Sequence, residues 1–278
     1  MTEILKPTYE PLRAVITGID GAGKSTTASQ VVYQLNEYRI AKPGPGRPFY
    51  TVVNGEKKYY YKGFIKLIDH LHTIADHSHN PEFVGAVNAI NVILNAKIIE
   101  PDLVHKANAQ LVLGARDFYI DPAVYSIIYS TKLGNKTMSE RFDTLKSLIN
   151  APYRDVVFFL TIPPDKAIER IEHRIATERK NPQATEREKW RHMHEEPISL
   201  QKLQLEYFSA LEEIRKRHPV QIYQMDTTDF PQRQVVSFIT QILLGHLEQK
   251  NSEKGKWQII NGLQIFQIPF CINSRVTI

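Results

Sequence analysis

Residues 18–25, with the sequence Gly-Ile-Asp-Gly-Ala-Gly-Lys-Ser, constrain the fold of this chain more than any other segment. They fit the pattern G-x-x-x-x-G-K-[ST], follow a short β-prone run at 14–17 and precede a helical pattern at 25–38. The glycines allow backbone N–H groups to surround an anion, and the following helix directs its N-terminus at that anion. The segment therefore predicts a phosphate-binding loop (the P-loop) between the first strand and the first helix of an α/β domain.

The residue types in the P-loop predict its ligands. Lys24 would contact the β- and γ-phosphates of a nucleotide, and the Ser25 hydroxyl would bind Mg²⁺, so ATP and Mg²⁺ are the expected cofactors. The residues expected to bind the nucleotide are Gly18, Asp20, Gly21, Ala22, Gly23, Lys24, Ser25 and Thr26. The chain has no N-K-x-D guanine-binding motif and is short for a motor protein. A kinase acting on a small molecule is the leading class.

Composition excludes several other classes of protein. The 278 residues are 42% hydrophobic and 23% charged, which is typical of a globular chain and not of a disordered one. The single cysteine, Cys271, excludes an intramolecular disulfide and a multi-cysteine zinc site. We find neither an apolar run of about 18 to 20 residues nor an apolar secretory segment, so we expect a cytoplasmic protein with no membrane contact. The net charge of +5 is diffuse, and nucleic-acid binding is not expected.

Strands and helices alternate along the chain. Apolar periodicity predicts strands at 14–17, 110–113, 156–162 and 220–225, and helices at 25–38, 63–76, 83–100, 165–179, 200–218 and 230–249. This alternation predicts a P-loop NTPase-type α/β fold, with a parallel sheet, helices on both faces and a helical lid. We expect a kinase domain at 1–250, with a hairpin insertion at about 49–63 around Asn54-Gly55, a lid at about 170–196, and an extension at 251–278.

The motifs together resemble the thymidylate kinase family of P-loop nucleoside monophosphate kinases. The similar segments are GIDGAGKSTT at 18–27, IIEPDL at 98–103, FLTIPPDKAIERIEHR at 159–174 and MDTT at 225–228. The resemblance covers roughly residues 12–247 and implies ATP-dependent phosphorylation of dTMP to dTDP, in a family whose members are often homodimers. It also implies that Asp20 contacts the sugar hydroxyl of the acceptor.

Two positions depart from the family pattern. Ala115-Arg116-Asp117 stands where the family has D-R-[YF], so the resemblance assigns Arg116 to the acceptor phosphate while Ala115 replaces the acid. Asp117 follows Arg116 and is the candidate carboxylate for magnesium, together with the Ser25 hydroxyl. Asn91 falls near the place of the arginine that reads thymine in the family.

A cluster of arginines follows the strand predicted at 156–162. Arg170, Arg174 and Arg179 lie along one predicted helix, and a mobile arginine can stabilise the charge on a transferring phosphoryl group. Because the P-loop has Ala22 where some family members have an arginine, the resemblance implies that the lid supplies it. The predicted catalytic residues are therefore Lys24, Arg116, Arg174 and Arg179. The alternative is a solvated helix face that includes Glu169 and Glu172.

Two other functions compete with a monophosphate kinase. A deoxynucleoside kinase shares the P-loop and lid, but its hydroxyl acceptor needs a carboxylate base, and Glu56 is the only candidate within 39–63. The second competing function is a nucleotide-binding protein without catalysis. It is favoured by Ala115, which stands where the family has an acid.

Two further clusters have structural explanations. His70, His72, His77 and His79 could bind a metal, but the absence of a nearby cysteine favours a polar helix end. Lysines around Tyr59-Tyr60-Tyr61 favour a hairpin strand with an exposed edge over a nucleic-acid platform.

Overall fold

The computed structural model describes residues 10–43, 49–78, 80–129, 132–178 and 195–252. Its seven strands are β1 (Leu12–Thr17), β2 (Ile40–Lys42), β3 (Tyr50–Val53), β4 (Glu56–Tyr59), β5 (Leu111–Gly114), β6 (Val156–Thr161) and β7 (Gln221–Asp226). They form one sheet in the order β4-β3-β2-β5-β1-β6-β7. The five strands from β2 to β7 in this order are parallel, and β3 and β4 extend the sheet as an antiparallel hairpin.

Helices connect the parallel strands and cover the sheet. The helices are α1 (Lys24–Gln34), α2 (Lys62–Ser78), α3 (Pro81–Leu94), α4 (Glu100–Ala107), α5 (Ile120–Tyr125), α6 (Met138–Ile149), α7 (Pro164–Glu178), α8 (Pro197–Arg217) and α9 (Gln232–Ser252). The predicted α/β fold is confirmed, although the hairpin makes the sheet mixed. The short elements β2, α5 and α6 were not predicted, because three to twelve residues give little periodicity.

The central strands are buried on both faces. Every residue of β5 and β6 is buried, and β1 is buried except for Arg13. Helices on both faces of a parallel sheet require such continuous apolar runs, and this explains why VVFFLT at β6 is the clearest strand in the sequence. The carboxyl ends of β1, β5, β6 and β7 meet at one edge, where ligands bind in open α/β sheets.

The β3–β4 hairpin forms as the Asn54-Gly55 pair predicts. Asn54 and Gly55 have φ angles of 51° and 77°, the left-handed conformation that a type I′ turn needs at both central residues. Because β3 is antiparallel to β2, this turn lies at the amino-terminal edge of the parallel strands, opposite the P-loop.

The helix predicted to end before Pro101 continues beyond it. A π-helical turn, Asn95–Ile99, joins α3 to α4, and the N–H of Glu100 donates to the carbonyl of Asn95 five residues earlier. This wider turn places Pro101 in the first turn of α4. The N–H group that proline lacks is not needed there for a hydrogen bond, and the proline ring avoids the usual clash with a preceding carbonyl group. The prediction of a helix end at this proline is therefore wrong.

The continuous helix Pro81–Ala107 is long and apolar enough to cross a membrane by length and composition alone. The expectation that no segment has this property is therefore too strong. The helix nevertheless carries buried polar side chains, namely Asn91, Asn95 and Glu100, and α4 packs against β2 and β3. These are features of a core helix, because the buried Glu100 carboxylate pairs with Arg154 and Arg13 from other parts of the fold.

Lys42, the last residue of β2, is a buried cation. Its side chain is 3% exposed, and its Nζ lies 5.4 Å from the centre of the Tyr50 ring. Burial, with a smaller contribution from the positive charge of Lys57, lowers the pKa of Lys42 to about 8. The folded state therefore binds this proton less tightly than the unfolded state does, since the usual lysine pKa is 10.5.

We expect the stability of Lys42→Met relative to wild type to be about 2 kcal/mol more favourable at pH 7, where the wild-type protein buries the charge, than at pH 9.5. Between pH 8 and the ordinary lysine pKa the unfolded state binds more protons than the folded state does. The free energy of unfolding of the wild-type protein therefore rises with pH, and the stability advantage of the methionine variant should shrink. Urea unfolding at pH 7 and pH 9.5 measures this, with Lys58→Met on exposed β4 as the control. An equal gain at both pH values would contradict the electrostatic explanation.

Candidate active site

The P-loop is packed closely against two other elements. Gly18 and Gly21 have φ angles of 140° and 84°, conformations that favour glycine. A Cβ at Gly18 would lie 2.2 Å from the carbonyl oxygen of Leu160 in β6, and one at Gly21 would lie 2.6 Å from that of Ala167 in α7. The loop conformation therefore requires glycine at both positions.

A cavity of about 520 Å³ opens in front of the P-loop. The P-loop and the first turn of α1 form one side, while α7 and the segment after β7 form the others. It is lined by Asp20, Gly21, Ala22, Gly23, Lys24, Ser25, Thr26, Thr27, Arg116, Arg170, Ile171, His173, Arg174, Thr227, Phe230, Gln232 and Val235. Three arginines and one lysine thus face a space bordered by the N-terminus of a helix, which suits a polyphosphate.

Asp20 connects two cations beside the P-loop. Its Oδ1 accepts hydrogen bonds from Arg116 at 2.8 Å and from Lys24 at 3.2 Å, and its Oδ2 accepts from the Tyr125 hydroxyl at 2.8 Å. Lys24 also donates to the carbonyl of Ile19 at 2.8 Å. The structure therefore brings together three residues predicted from sequence, namely Asp20, Lys24 and Arg116.

Burial and neighbouring negative charges have opposite effects on the pKa values of Lys24 and Arg116. Burial lowers the pKa of Lys24, and the Asp20 carboxylate opposes that change. Burial also lowers the pKa of Arg116, but Tyr125 and the carboxylates of Asp20 and Asp121 outweigh it and raise this pKa well above the usual value. Arg116 therefore keeps its positive charge although it is buried.

Asp117 lies away from the cavity that Ser25 lines. Its Oδ1 accepts from the backbone N–H groups of Tyr119 and Ile120 at 2.7 Å, and its Oδ2 lies 3.5 Å from Nε of Arg154. The side chain is 1% exposed, so the structure does not bring Asp117 and Ser25 together as a shared magnesium site. No group of three or more His, Cys, Asp or Glu side chains in the described parts of the chain could hold a metal, His70, His72 and His77 included.

Asp121 is the carboxylate that sequence reasoning missed. It lies on α5, and its Oδ1 is 3.6 Å from Nη1 of Arg116. Burial raises its pKa, an effect that the positive charges of Arg116 and Lys24 reduce. The only sequence signal was a second aspartate shortly after Arg116, in the run RDFYID.

The structure describes two of the three arginines predicted for the lid, and these two differ in their contacts. Nη2 of Arg170 donates to the carbonyl of Thr227 at 2.5 Å, which ties α7 to the segment after β7. Nη2 of Arg174 lies 3.2 Å from Glu195, just before α8. Arg179 lies outside the described residues. The structure thus places Arg170 and Arg174 at the cavity.

Two other candidates lie away from the cavity. Asn91 is 2% exposed, and its Oδ1 accepts from Nδ2 of Asn95 at 2.8 Å within the same helix. Glu56 opens β4 at the edge of the sheet opposite the P-loop. Its candidacy as the base of a nucleoside kinase is therefore not supported, because a base must lie within hydrogen-bond reach of the acceptor hydroxyl.

Solved structures of a deoxyadenosine kinase from M. mycoides resemble this chain. One, with the products dCMP and a flexible dCDP bound, has a TM-score of 0.51 and 16% identity, and the match covers 84% of this chain and 100% of that one. A second, with dCTP bound, has a TM-score of 0.51, 15% identity and the same coverage. This chain shares their fold. No family model matches it, and no curated protein matches it in sequence.

This likeness supports the predicted α/β architecture and does not single out thymidylate kinases. At such low identity it carries the architecture alone, so substrate and reaction have to be argued from the side chains of the site.

We expect Gly21→Ala to lower both ATP affinity and the thermal midpoint, because the new methyl group would meet the backbone of Ala167 in a strained conformation. Gly245→Ala is the matched control, since a Cβ there meets nothing within 4 Å and alanine favours the α9 helix by about 0.5–1 kcal/mol. Calorimetry and ATP titration measure both variants. Unchanged ATP binding by Gly21→Ala would show that close packing of the P-loop is not required.

Proposed function

We propose that this protein is an ATP-dependent kinase that phosphorylates a nucleoside or a nucleoside monophosphate. The observation that carries this proposal is that Lys24, Ser25, Arg116 and Arg174 line one and the same cavity. The charge of a phosphoryl group in transfer is spread over its oxygens, and several fixed cations around one space stabilise it. A regulatory nucleotide-binding protein has no need for so many cations on both sides of the phosphate position.

The donor is ATP with magnesium in this proposal. The N–H groups of the P-loop and Lys24 would hold the phosphates, and the exposed Ser25 hydroxyl at the cavity would contribute to the magnesium site. Magnesium bound there neutralises phosphate charge. Mg²⁺ usually takes most of its ligands from phosphate and water, so one hydroxyl suits it. Asp117 would have to leave the N-terminus of α5 and Arg154 to participate.

Two observations favour different acceptors. Arg116 lies beyond the P-loop lysine and donates to Asp20. A second phosphate could replace Asp20 as the partner of Arg116. This possibility favours a nucleoside monophosphate as the acceptor, with dTMP as the first candidate. The fold likeness to a deoxyadenosine kinase favours a deoxynucleoside, for which Asp20 is the carboxylate at the cavity that could accept a hydroxyl proton. In both cases positioning and electrostatics supply the catalysis, without a covalent intermediate.

We expect ATP consumption with at least one member of a panel of deoxynucleosides and their monophosphates. Lys24→Ala should lower kcat by about 10²-fold or more, because it removes a charge-assisted contact to the transferring phosphate. Lys216→Ala, on the exposed surface of α8, is the control and should act as wild type. Preference for a monophosphate or for a nucleoside decides the acceptor class. Tight ATP binding with no acceptor turned over would support a protein without catalysis.

The lid arginines have a separate test. We expect Arg174→Ala or Arg179→Ala to lower kcat by about 10-fold or more with little change in ATP affinity, the signature of a contact made only in the transition state. Arg215→Ala is a matched control, since Arg215 is 51% exposed and pairs with one glutamate, as Arg174 is 52% exposed and pairs with Glu195. If both single variants and the double variant keep the wild-type kcat, this part of the chain is a solvated helix.

A further inference from the structure

Asp121 lies beneath the cavity without lining it. Its Oδ2 accepts from the Thr17 hydroxyl at 2.9 Å and from the backbone N–H of Asp117 at 2.6 Å, and its Oδ1 accepts from the Tyr207 hydroxyl at 2.7 Å. The residue is 4% exposed. A carboxylate that accepts three hydrogen bonds in a buried position is held in one orientation.

The partners of Asp121 come from three different parts of the fold. Thr17 is the last residue of β1, directly before the P-loop, and Tyr207 lies on α8. Asp121 itself belongs to α5, which packs against α8. The side chain therefore connects the strand that carries the P-loop to the helix that follows the lid segment.

Arg116 lies between Asp121 and Asp20. Its Nη2 is 2.8 Å from Oδ1 of Asp20, its Nη1 is 3.6 Å from Oδ1 of Asp121, and its guanidinium carbon is 4.9 Å from the centre of the Tyr125 ring. The two carboxylates and the ring face fix both the position and the plane of the guanidinium group. Asp20 is shared with Lys24 and Tyr125, whereas Asp121 does not contact Lys24 at hydrogen-bond distance.

We propose that Asp121 is a positioning residue that holds the guanidinium group of Arg116 ready for the phosphate of a substrate. This inference rests on the proposed kinase function. An incoming phosphate competes with Asp20 for Arg116, and Asp121 is then the carboxylate that keeps the guanidinium in place.

Asp121→Asn removes the charge and retains the shape. Its amide oxygen can still accept from Thr17 and from the N–H of Asp117, and its amide nitrogen can donate to Tyr207, because a phenol is both donor and acceptor. The experiment is a double-mutant cycle of Asp121→Asn and Arg116→Ala, with kcat and KM measured for ATP and for the acceptor that the panel identifies. Asp143→Asn, an exposed carboxylate that pairs with Arg217, is the control.

We expect Asp121→Asn to lower kcat/KM for the acceptor by about 10-fold or more in the wild-type background and by less than about 3-fold when Arg116 is already alanine. ATP affinity should change little. Equal losses in both backgrounds would overturn the inference, because a merely structural carboxylate acts independently of Arg116. Should Asp121→Asn fail to fold, Tyr207→Phe replaces it in the cycle, with Tyr223→Phe as control.

The two proposals fail in different ways. A wild-type protein that phosphorylates no acceptor overturns the proposed function. The cycle is then run on the binding affinity for a nucleoside monophosphate such as dTMP, since Arg116 lines the cavity and a phosphate is the group that the inference assigns to it. Non-additive losses in affinity would still support the positioning role, and additive losses would overturn it.

Discussion

Two cations and two carboxylates meet at the carboxyl end of β1, and the geometry of the candidate site depends on their balance. Lys24 and Arg116 carry the positive charge, and Asp20 and Asp121 carry the negative charge. Each of these groups is costly to bury alone, because a charge in a low-dielectric environment loses its hydration. In the proposed function a substrate phosphate would take the place of Asp20 on the cations, so that Lys24 and Arg116 stay compensated whether or not an anion is bound.

A second ion cluster lies on the other side of the segment that joins β5 to α5. Arg154 forms two hydrogen bonds with Glu100, at 2.9 and 2.8 Å, and Nη1 of Arg13 lies 2.5 Å from the same carboxylate. Arg154 also faces Asp117, which in turn binds the N-terminal N–H groups of α5. This cluster fixes the start of α5 and hence the position of Asp121. It explains why Asp117, although adjacent to Arg116 in sequence, is directed away from the cavity.

The long elements could be predicted from the sequence because their periodicity is local. The P-loop, the β6 strand and the Asn54-Gly55 hairpin each follow from neighbouring residues, and all three are present in the structure. The end of the helix at Pro101 was predicted wrongly, because the π-helical turn Asn95–Ile99, directly before α4, changes the effect of that proline. The likeness to solved structures supports the predicted architecture and nothing finer.

The sequence by itself determined the phosphate-binding loop, since glycine, lysine and serine at fixed spacing specify backbone conformation and charge over a few consecutive residues. Only the tertiary structure decided which carboxylates belong to the site. Asp117 and Asp121 are four residues apart, and their roles differ because one faces Arg154 and the other faces Arg116. Arg154 comes from a distant part of the chain, as do Thr17 and Tyr207, which hold Asp121, and the packing of β1, α5 and α8 brings these groups together. Contacts of this kind leave no local periodicity, so no pattern within one segment could have shown them.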